Sequence, residues 1–239
     1  MKYIIMLMAA AAGGVLQGCA GFGYSLICMS LYVLVIPVQT ALALQPLVGF
    51  FVIGCYAIKQ FKYINFRLLI IPVISALPTT YLGIEIAYMV DAILMKKILG
   101  VALVVIVLIS MLKNNDKAKF KNGIIGMIAI GSISGLFGGL TNIYGPPMAM
   151  YFSKVAKDKN EYNGTIQAFF LVMTIFKTII NMSNTRITME IVKLLPILII
   201  ATAIGLFFGF RLLRKMKMEA VRKMVNIVIA FMGMYLIIF

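Results

Sequence analysis

Residues 3–58 carry no charged side chain, and 122–153 form a second uncharged stretch. Between and after them lie further apolar segments at 66–88, 94–112, 164–182, 193–210 and 222–239. The first run divides at the turn Ile36-Pro37-Val38-Gln39-Thr40, leaving 3–36 and 41–58. A membrane-spanning helix needs about 20 apolar residues. The segments 41–58, 66–88, 94–112, 164–182, 193–210 and 222–239 each fit one crossing. Segments 3–36 and 122–152 are too long for one crossing and too short for two comfortable ones. Both contain a glycine-rich stretch, Gly18-Cys19-Ala20-Gly21-Phe22-Gly23 in the first and Gly135-Leu136-Phe137-Gly138-Gly139-Leu140 in the second. Glycine lets backbone leave helical geometry and approach a neighbour closely. In lipid, non-helical backbone persists only where protein or a wet cavity covers it. The pattern predicts two broken-helix hairpins and six full spans, about eight hydrophobic segments in all.

Composition sharpens this reading. Apolar residues fill 63% of 239 positions and charged residues 12%, against about 45–50% and about 25% in a soluble domain. The chain therefore reads as a single all-α polytopic membrane domain over 1–239, in the cell membrane. Its first apolar run is too long, and too poor in preceding charge, for a cleaved signal peptide, and no polar stretch is long enough for a soluble domain. The net charge of +15 sits in short loops between apolar runs, a pattern that sets topology and does not point to nucleic acid. There is no histidine, and Cys19, Cys28 and Cys55 lie in apolar surroundings without a CxxC pair. No metal site, disulfide framework or cofactor is implied.

Loop charge decides how the two long segments lie. If each is a hairpin, the stretches 59–67, 113–121, 153–163 and 211–223 share one face and carry sixteen Lys or Arg. The other face carries Lys2, Lys96, Lys97, Arg186 and Lys193, with Lys177 left inside the membrane. Single crossings would nearly equalise the two faces. The positive-inside rule favours the asymmetric solution, with both termini outside. The halves then become inverted repeats, one over about 1–112 and one over about 122–239, joined by the basic linker 113–121. Landmarks agree: Gly14, Gly18 and Gly21 match Gly131, Gly135 and Gly138 in spacing, and Gln45 and Gln167 follow in order, then Asp91-Ala92 and Glu219-Ala220.

Gly-Phe-Gly followed by an apolar arm, and Gly-Leu-Phe-Gly-Gly-Leu-Thr-Asn followed by Gly145-Pro146-Pro147, resemble the TauE/SafE sulfite exporter family across both halves. The resemblance implies a transporter, an exporter of small sulfur-containing anions such as sulfite or organosulfonates. One departure is visible. The arm after Gly23 has Met29 and Ser30 where an early proline is often found, while the second half keeps Pro146 and Pro147.

A returning half-helix near the midplane presents unpaired N–H groups and about half a positive charge, and inverted-repeat transporters bind anions at such ends. Backbone of Gly18, Cys19, Gly21, Phe22, Gly23 and Tyr24, and of Gly135, Gly138, Gly139, Thr141 and Asn142, is the candidate cradle. Ser25, Thr141 and Asn142 could add side-chain hydrogen bonds. Helix packing by small residues explains the same glycines equally simply, above all Gly14 and Gly131. Gln45 and Gln167 occupy matching positions and could donate to an anion without a buried charge. Interhelical hydrogen bonding is the plain alternative for them, and for the stripe Gln167, Thr174, Thr178 and Asn181. Pro46 removes one N–H and frees a carbonyl in its own helix.

Lys177 is the single Lys or Arg well inside a span, so a counter-charge or coupling role stands against snorkelling to the interface. Glu85, one turn from a span end, reads as an interfacial carboxylate or a proton-coupling group. The expected partners are a small anionic substrate, the lipid bilayer and a coupling proton or sodium ion, with no nucleic acid; the sequence leaves oligomeric state open. An intramembrane enzyme is disfavoured by seven acids and no histidine. An anion channel or a non-transporting structural subunit remains the alternative. The charge asymmetry predicts that reporter fusions will place Lys2 and Phe239 both outside. Opposite signals at the two ends would eliminate the inverted-repeat reading.

Overall fold

The computed structural model describes residues 1–111 and 123–212, together with 227, 230, 231 and 233–238. The linker 113–121, most of 211–223, much of 222–239 and the Cys19 side chain lie outside the described residues. Every regular element among the described residues is a helix. In chain order these are α1 (Lys2–Ala20), α2 (Tyr24–Tyr32), α3 (Val38–Gln60), a 3-10 turn (Phe61–Tyr63), α4 (Phe66–Met89), α5 (Ala92–Met111), α6 (Ile124–Thr141), α7 (Gly145–Val155), α8 (Lys159–Ser183) and α9 (Met189–Leu212). Five stretches among the described residues are long and apolar enough to cross a membrane: Val38–Ile58, Phe66–Met89, Ile124–Thr141, Lys159–Ser183 and Met189–Gly209. Large apolar side chains such as Ile70, Ile74, Ile197, Ile200, Ile204 and Phe207 stand exposed on α4 and α9. That exposure is the expected state of a lipid-facing surface, where no hydrophobic force drives such groups inward.

Both over-long segments break, but into unequal arms rather than two half-helices. The first gives α1 with 19 residues and α2 with 9, and the second gives α6 with 18 and α7 with 11. The long arms run for about 27 Å, close to the thickness of the hydrocarbon layer. The helices continue through Gly14, Gly18, Gly131 and Gly135. They end where Gly21 (φ 75°), Gly23 (φ 106°) and Asn142 (φ 63°) take left-handed backbone conformations. Each short arm then turns back along its long arm. The Cys28 thiol donates to the Ala9 carbonyl at 3.5 Å, and the Ser134 hydroxyl donates to the Tyr144 carbonyl at 2.8 Å.

Glycines inside the long arms serve close packing. A Cβ on Gly14 would overlap the Thr202 carbonyl of α9, and one on Gly205 or Gly209 would overlap the Ala11 or Val15 carbonyl of α1. The same seam joins α6 to α4, where Gly131, Gly135 and Gly139 meet Pro72, Ala76 and Thr80, and Gly83 meets Leu136. Thus α1 lies along α9, α6 along α4, and α3 along α8. Two apolar cores surround the short arms. Tyr24, Cys28, Met29 and Tyr32 of α2 anchor one with Leu42 and Leu44 of α3. Met148, Tyr151 and Phe152 of α7 anchor the other with Phe169 and Met173 of α8. The short arms are therefore held inside the bundle, with the two breaks facing its interior.

Candidate functional site

At the first break, one side chain closes most of the exposed backbone. Gln17, buried on α1, accepts from the Tyr24 N–H at 3.3 Å through Oε1. Its Nε2 donates to the Gly21 carbonyl at 3.2 Å and to Gln167 Oε1 at 3.2 Å. Gln167 of α8 in turn donates from Nε2 to the same Gly21 carbonyl. An amide carries both donor and acceptor, so two glutamines can satisfy a helix C-terminus, the next helix's N-terminus and each other. Leu16 fills the space beside Gly23, where a Cβ would overlap it.

The second break is braced in the same manner by different residues. Pro46 of α3 has no N–H, which leaves the Leu42 carbonyl four residues earlier without a helical partner. Asn142 Nδ2 donates to that carbonyl at 3.2 Å. The C-terminal carbonyls of α6 are met by a charge: Lys177 Nζ donates to Gly138 O at 3.1 Å and to Gly139 O at 2.6 Å. Lys177 is 1% exposed. It does not snorkel; it reaches inward to a helix C-terminus, where the macrodipole favours a cation. Gly21 and Gly138 thus face Gln167 and Lys177, ten residues or about 15 Å apart along α8.

A cavity of about 30 Å³ lies between the breaks. Gln17, Phe22, Gly23, Tyr24, Ser25, Gln45, Asn142, Tyr144, Gly145, Thr174 and Lys177 are among its lining residues. Gln45 Nε2 donates to Ser25 Oγ at 2.7 Å, fixing that hydroxyl at the first turn of α2. Asn142 Oδ1 is buried at the cavity without a hydrogen-bond partner. Among the described residues, no carboxylate lines the cavity. Lys177 is the single buried charged side chain among the described residues. The polar surroundings include the N-terminal end of α2 and the Lys177 amino group, both hydrogen-bond donors.

The residues expected from sequence divide into three groups. Phe22, Gly23, Ser25, Gln45, Asn142 and Lys177 meet at the cavity. Gly21, Gln167, Gly138 and Gly139 stand just behind it as the braced ends of the breaks. Gly18 lies inside α1 with the Cys19 backbone, and Gly135 lies inside α6, where its carbonyl accepts from Thr80 at 3.1 Å. Thr141 Oγ1 donates to Phe137 O and accepts from the Ile143 N–H. Glu85 is not at the cavity; it pairs with Arg186 at 3.0 Å. The donors expected from 139–142 need correction. Those residues finish α6, the Asn142 N–H returns to Gly138 O at 2.8 Å, and the short arm starts only at Gly145. Pro146 and Pro147 then remove two N–H groups from its first turn.

Gln17 was missed from sequence. Its signal was present, as one amide in an uncharged run at the position matching Ser134, which also ties its own break. Arg186 was counted only as a loop charge, and its pairing with Glu85 spans 101 positions.

Among the described residues the fold is an all-helical bundle with membrane-length helices, two internal breaks and a small cavity between them, the architecture of a multi-pass membrane protein. The chain belongs to the TauE/SafE family, since the family model for sulfite exporter TauE/SafE matches residues 5–236. No curated protein and no solved structure matches it.

If Gln17 and Gln167 brace the first break jointly, leucine at either should lower the melting temperature of the purified protein. The scale is about 1–3 kcal/mol for each buried backbone group left unpaired. The loss in the double variant should differ from the sum of the singles, because the two amides bond each other and share the Gly21 carbonyl. Additive losses would mean the two amides act separately.

Proposed function

We propose that the protein is a secondary transporter that exports sulfite or a similar small sulfur oxyanion, bound in the cavity between the two breaks. One observation carries this reading. Lys177 places a cation beside a cavity lined, among the described residues, by apolar groups and neutral polar ones and by no carboxylate. Carbonyl dipoles at Gly138 and Gly139 orient the ammonium but leave its charge without a counter-ion, and buried charge in a membrane protein is paired as a rule. A bound anion supplies that partner. Tyr24, Ser25 and Gly23 bring the N-terminal turn of α2 to the opposite wall, so the anion is held between a helix N-terminus and an ammonium.

The two half-sites differ in kind. The first break contributes N–H groups and the Ser25 hydroxyl. The second contributes Asn142 and Lys177, its own helix start being weakened as a donor by Pro146 and Pro147. Cavity size favours the smallest members of the class. A volume of about 30 Å³ accommodates about two water-sized bodies, so a three-oxygen anion needs the cavity to widen a little and an organosulfonate needs it to open much further.

The inverted-repeat reading draws support from helix pairing. Matching α1 with α6, α3 with α8 and α4 with α9 turns the α1–α9 contact into the α6–α4 contact, and α3–α8 into itself. An outward orientation of both termini goes with that arrangement. In it, each half supplies one break and braces the other, so rocking of one half against the other changes which side the cavity faces.

Sulfite efflux from liposomes should saturate with concentration, and Lys177→Met should reduce it by about tenfold or more, the scale of one charge-assisted hydrogen bond. Sulfite should raise the melting temperature of the parent protein and leave that of Lys177→Met unchanged. Normal efflux by a folded Lys177→Met protein would remove the lysine, and with it this reading of the cavity.

A further inference from the structure

Beyond the cavity, α8 carries a line of polar atoms that nothing in the fold satisfies. Thr178 and Asn181 follow Lys177 at helical spacing toward the end of α8. Thr178 Oγ1 is buried without a partner, and so are both side-chain atoms of Asn181, a residue that is 0% exposed. One turn further on, the Arg186 N–H donates to the Asn181 carbonyl at 2.9 Å. The Arg186 guanidinium is only half used. Its Nη2 holds both oxygens of Glu85 at 3.0 and 3.1 Å, while Nη1 is buried and unpaired. The guanidinium lies 3.9 Å above the Tyr88 ring, which fixes its plane. Arg186 and Glu85 are 14% and 25% exposed, so this end of the line reaches the molecular surface.

A purely structural polar stripe closes on itself, as the Gln17–Gln167 pair does. This one does not close. Buried polar groups without partners in a native fold mark a missing water, ion or ligand. Besides the Asn181 Oδ1 acceptor, the vacant atoms are donors, namely the Asn181 amide N–H pair, the Thr178 hydroxyl and the Arg186 Nη1 N–H groups, which suit an oxyanion. The anion at this end is the carboxylate of Glu85, both of whose oxygens accept from Nη2 alone, and a guanidinium also recognises other planar or trigonal oxyanions.

We propose that Thr178, Asn181 and Arg186 form a second station for the transported anion, between the Lys177 cavity and the surface at the α8–α9 turn. Glu85 closes this station as a tethered competitor. In the present conformation its carboxylate occupies Arg186 and the passage is shut. When it swings away, the guanidinium and the Asn181 amide receive the anion from Lys177, one helical turn below. The station rests on the transport reading above, and it adds a residue, Arg186, and a gate, Glu85, that the cavity does not include.

The test uses Asn181→Cys in full-length protein carrying Cys19→Ser and Cys55→Ser, with the same background lacking the Asn181 change as control. Thr178→Cys serves in its place if that protein fails to fold. Two thiol reagents are compared, an anionic sulfonatoethyl methanethiosulfonate and its cationic trimethylammonium counterpart. Labelling should be slow in the parent. Adding Glu85→Gln should speed it by about tenfold, with the anionic reagent faster than the cationic one, as expected once one charge-assisted contact is released. Sulfite should slow labelling. Equal rates with and without Glu85→Gln, or a faster cationic reagent, overturn the station. Labelling indifferent to sulfite in a protein that still transports sulfite overturns it too, and leaves the cavity reading intact. Absence of sulfite transport by the wild-type chain is a separate failure, that of the transport reading, and removes the station with it.

Discussion

Lipid cannot hydrogen-bond to backbone, so a helix that stops inside a membrane must have its loose ends met by protein. Two helices stop inside this bundle, and the rest of the structure follows from how their ends are met. The Gly21 carbonyl is taken by Gln17 and Gln167. The Gly138 and Gly139 carbonyls are taken by Lys177. The carbonyl freed by Pro46 is taken by Asn142. In the first and third cases a partner comes from the opposite half of the chain, whereas Lys177 meets carbonyls of its own half. The breaks therefore cannot form independently of the seams that bring the halves together, and those seams require the glycines of α1, α4, α6 and α9.

One helix carries much of this arrangement. Gln167 and Lys177 both belong to α8, so a displacement of α8 is felt at both breaks and along both walls of the cavity. The polar side chains of α8 are not uniformly satisfied. Near Gln167 they form a closed network, and near Asn181 they do not. The closed end suits a fixed brace. The open end suits a part of the molecule that changes partners during a transport cycle, with the Glu85–Arg186 pair at its rim.

Much of this was legible in the sequence. The glycine clusters located both breaks, because a left-handed residue has to appear where a helix reverses inside an apolar run. Charge in the loops and spacing of the glycines suggested two related halves. Gln45, Gln167, Asn142 and Lys177 stood out as polar groups in apolar segments, and all four lie at or behind the cavity. What sequence could not convey was partner choice. Whether Lys177 reaches outward to water or inward to a carbonyl depends on which neighbour its helix faces, and depth along the helix does not decide that. The unequal arms depended on α1 and α6 staying helical through several glycines, which packing against α9 and α4 supports and local propensity opposes. Gln17 went unnoticed because its role depends on its position against Tyr24 and Gln167, which only the fold sets. Glu85 and Arg186 each read as interfacial charge, and only the fold brings them together.

The proposed transport rests on a small oxyanion sitting between the start of α2 and the Lys177 ammonium. Selenite has the shape and charge of sulfite and scatters anomalously, so crystals grown with it locate the anion directly. The strongest anomalous peak is expected inside the cavity, within hydrogen-bonding distance of Lys177 Nζ and Ser25 Oγ. A cavity without such a peak, in protein that transports selenite, would contradict it.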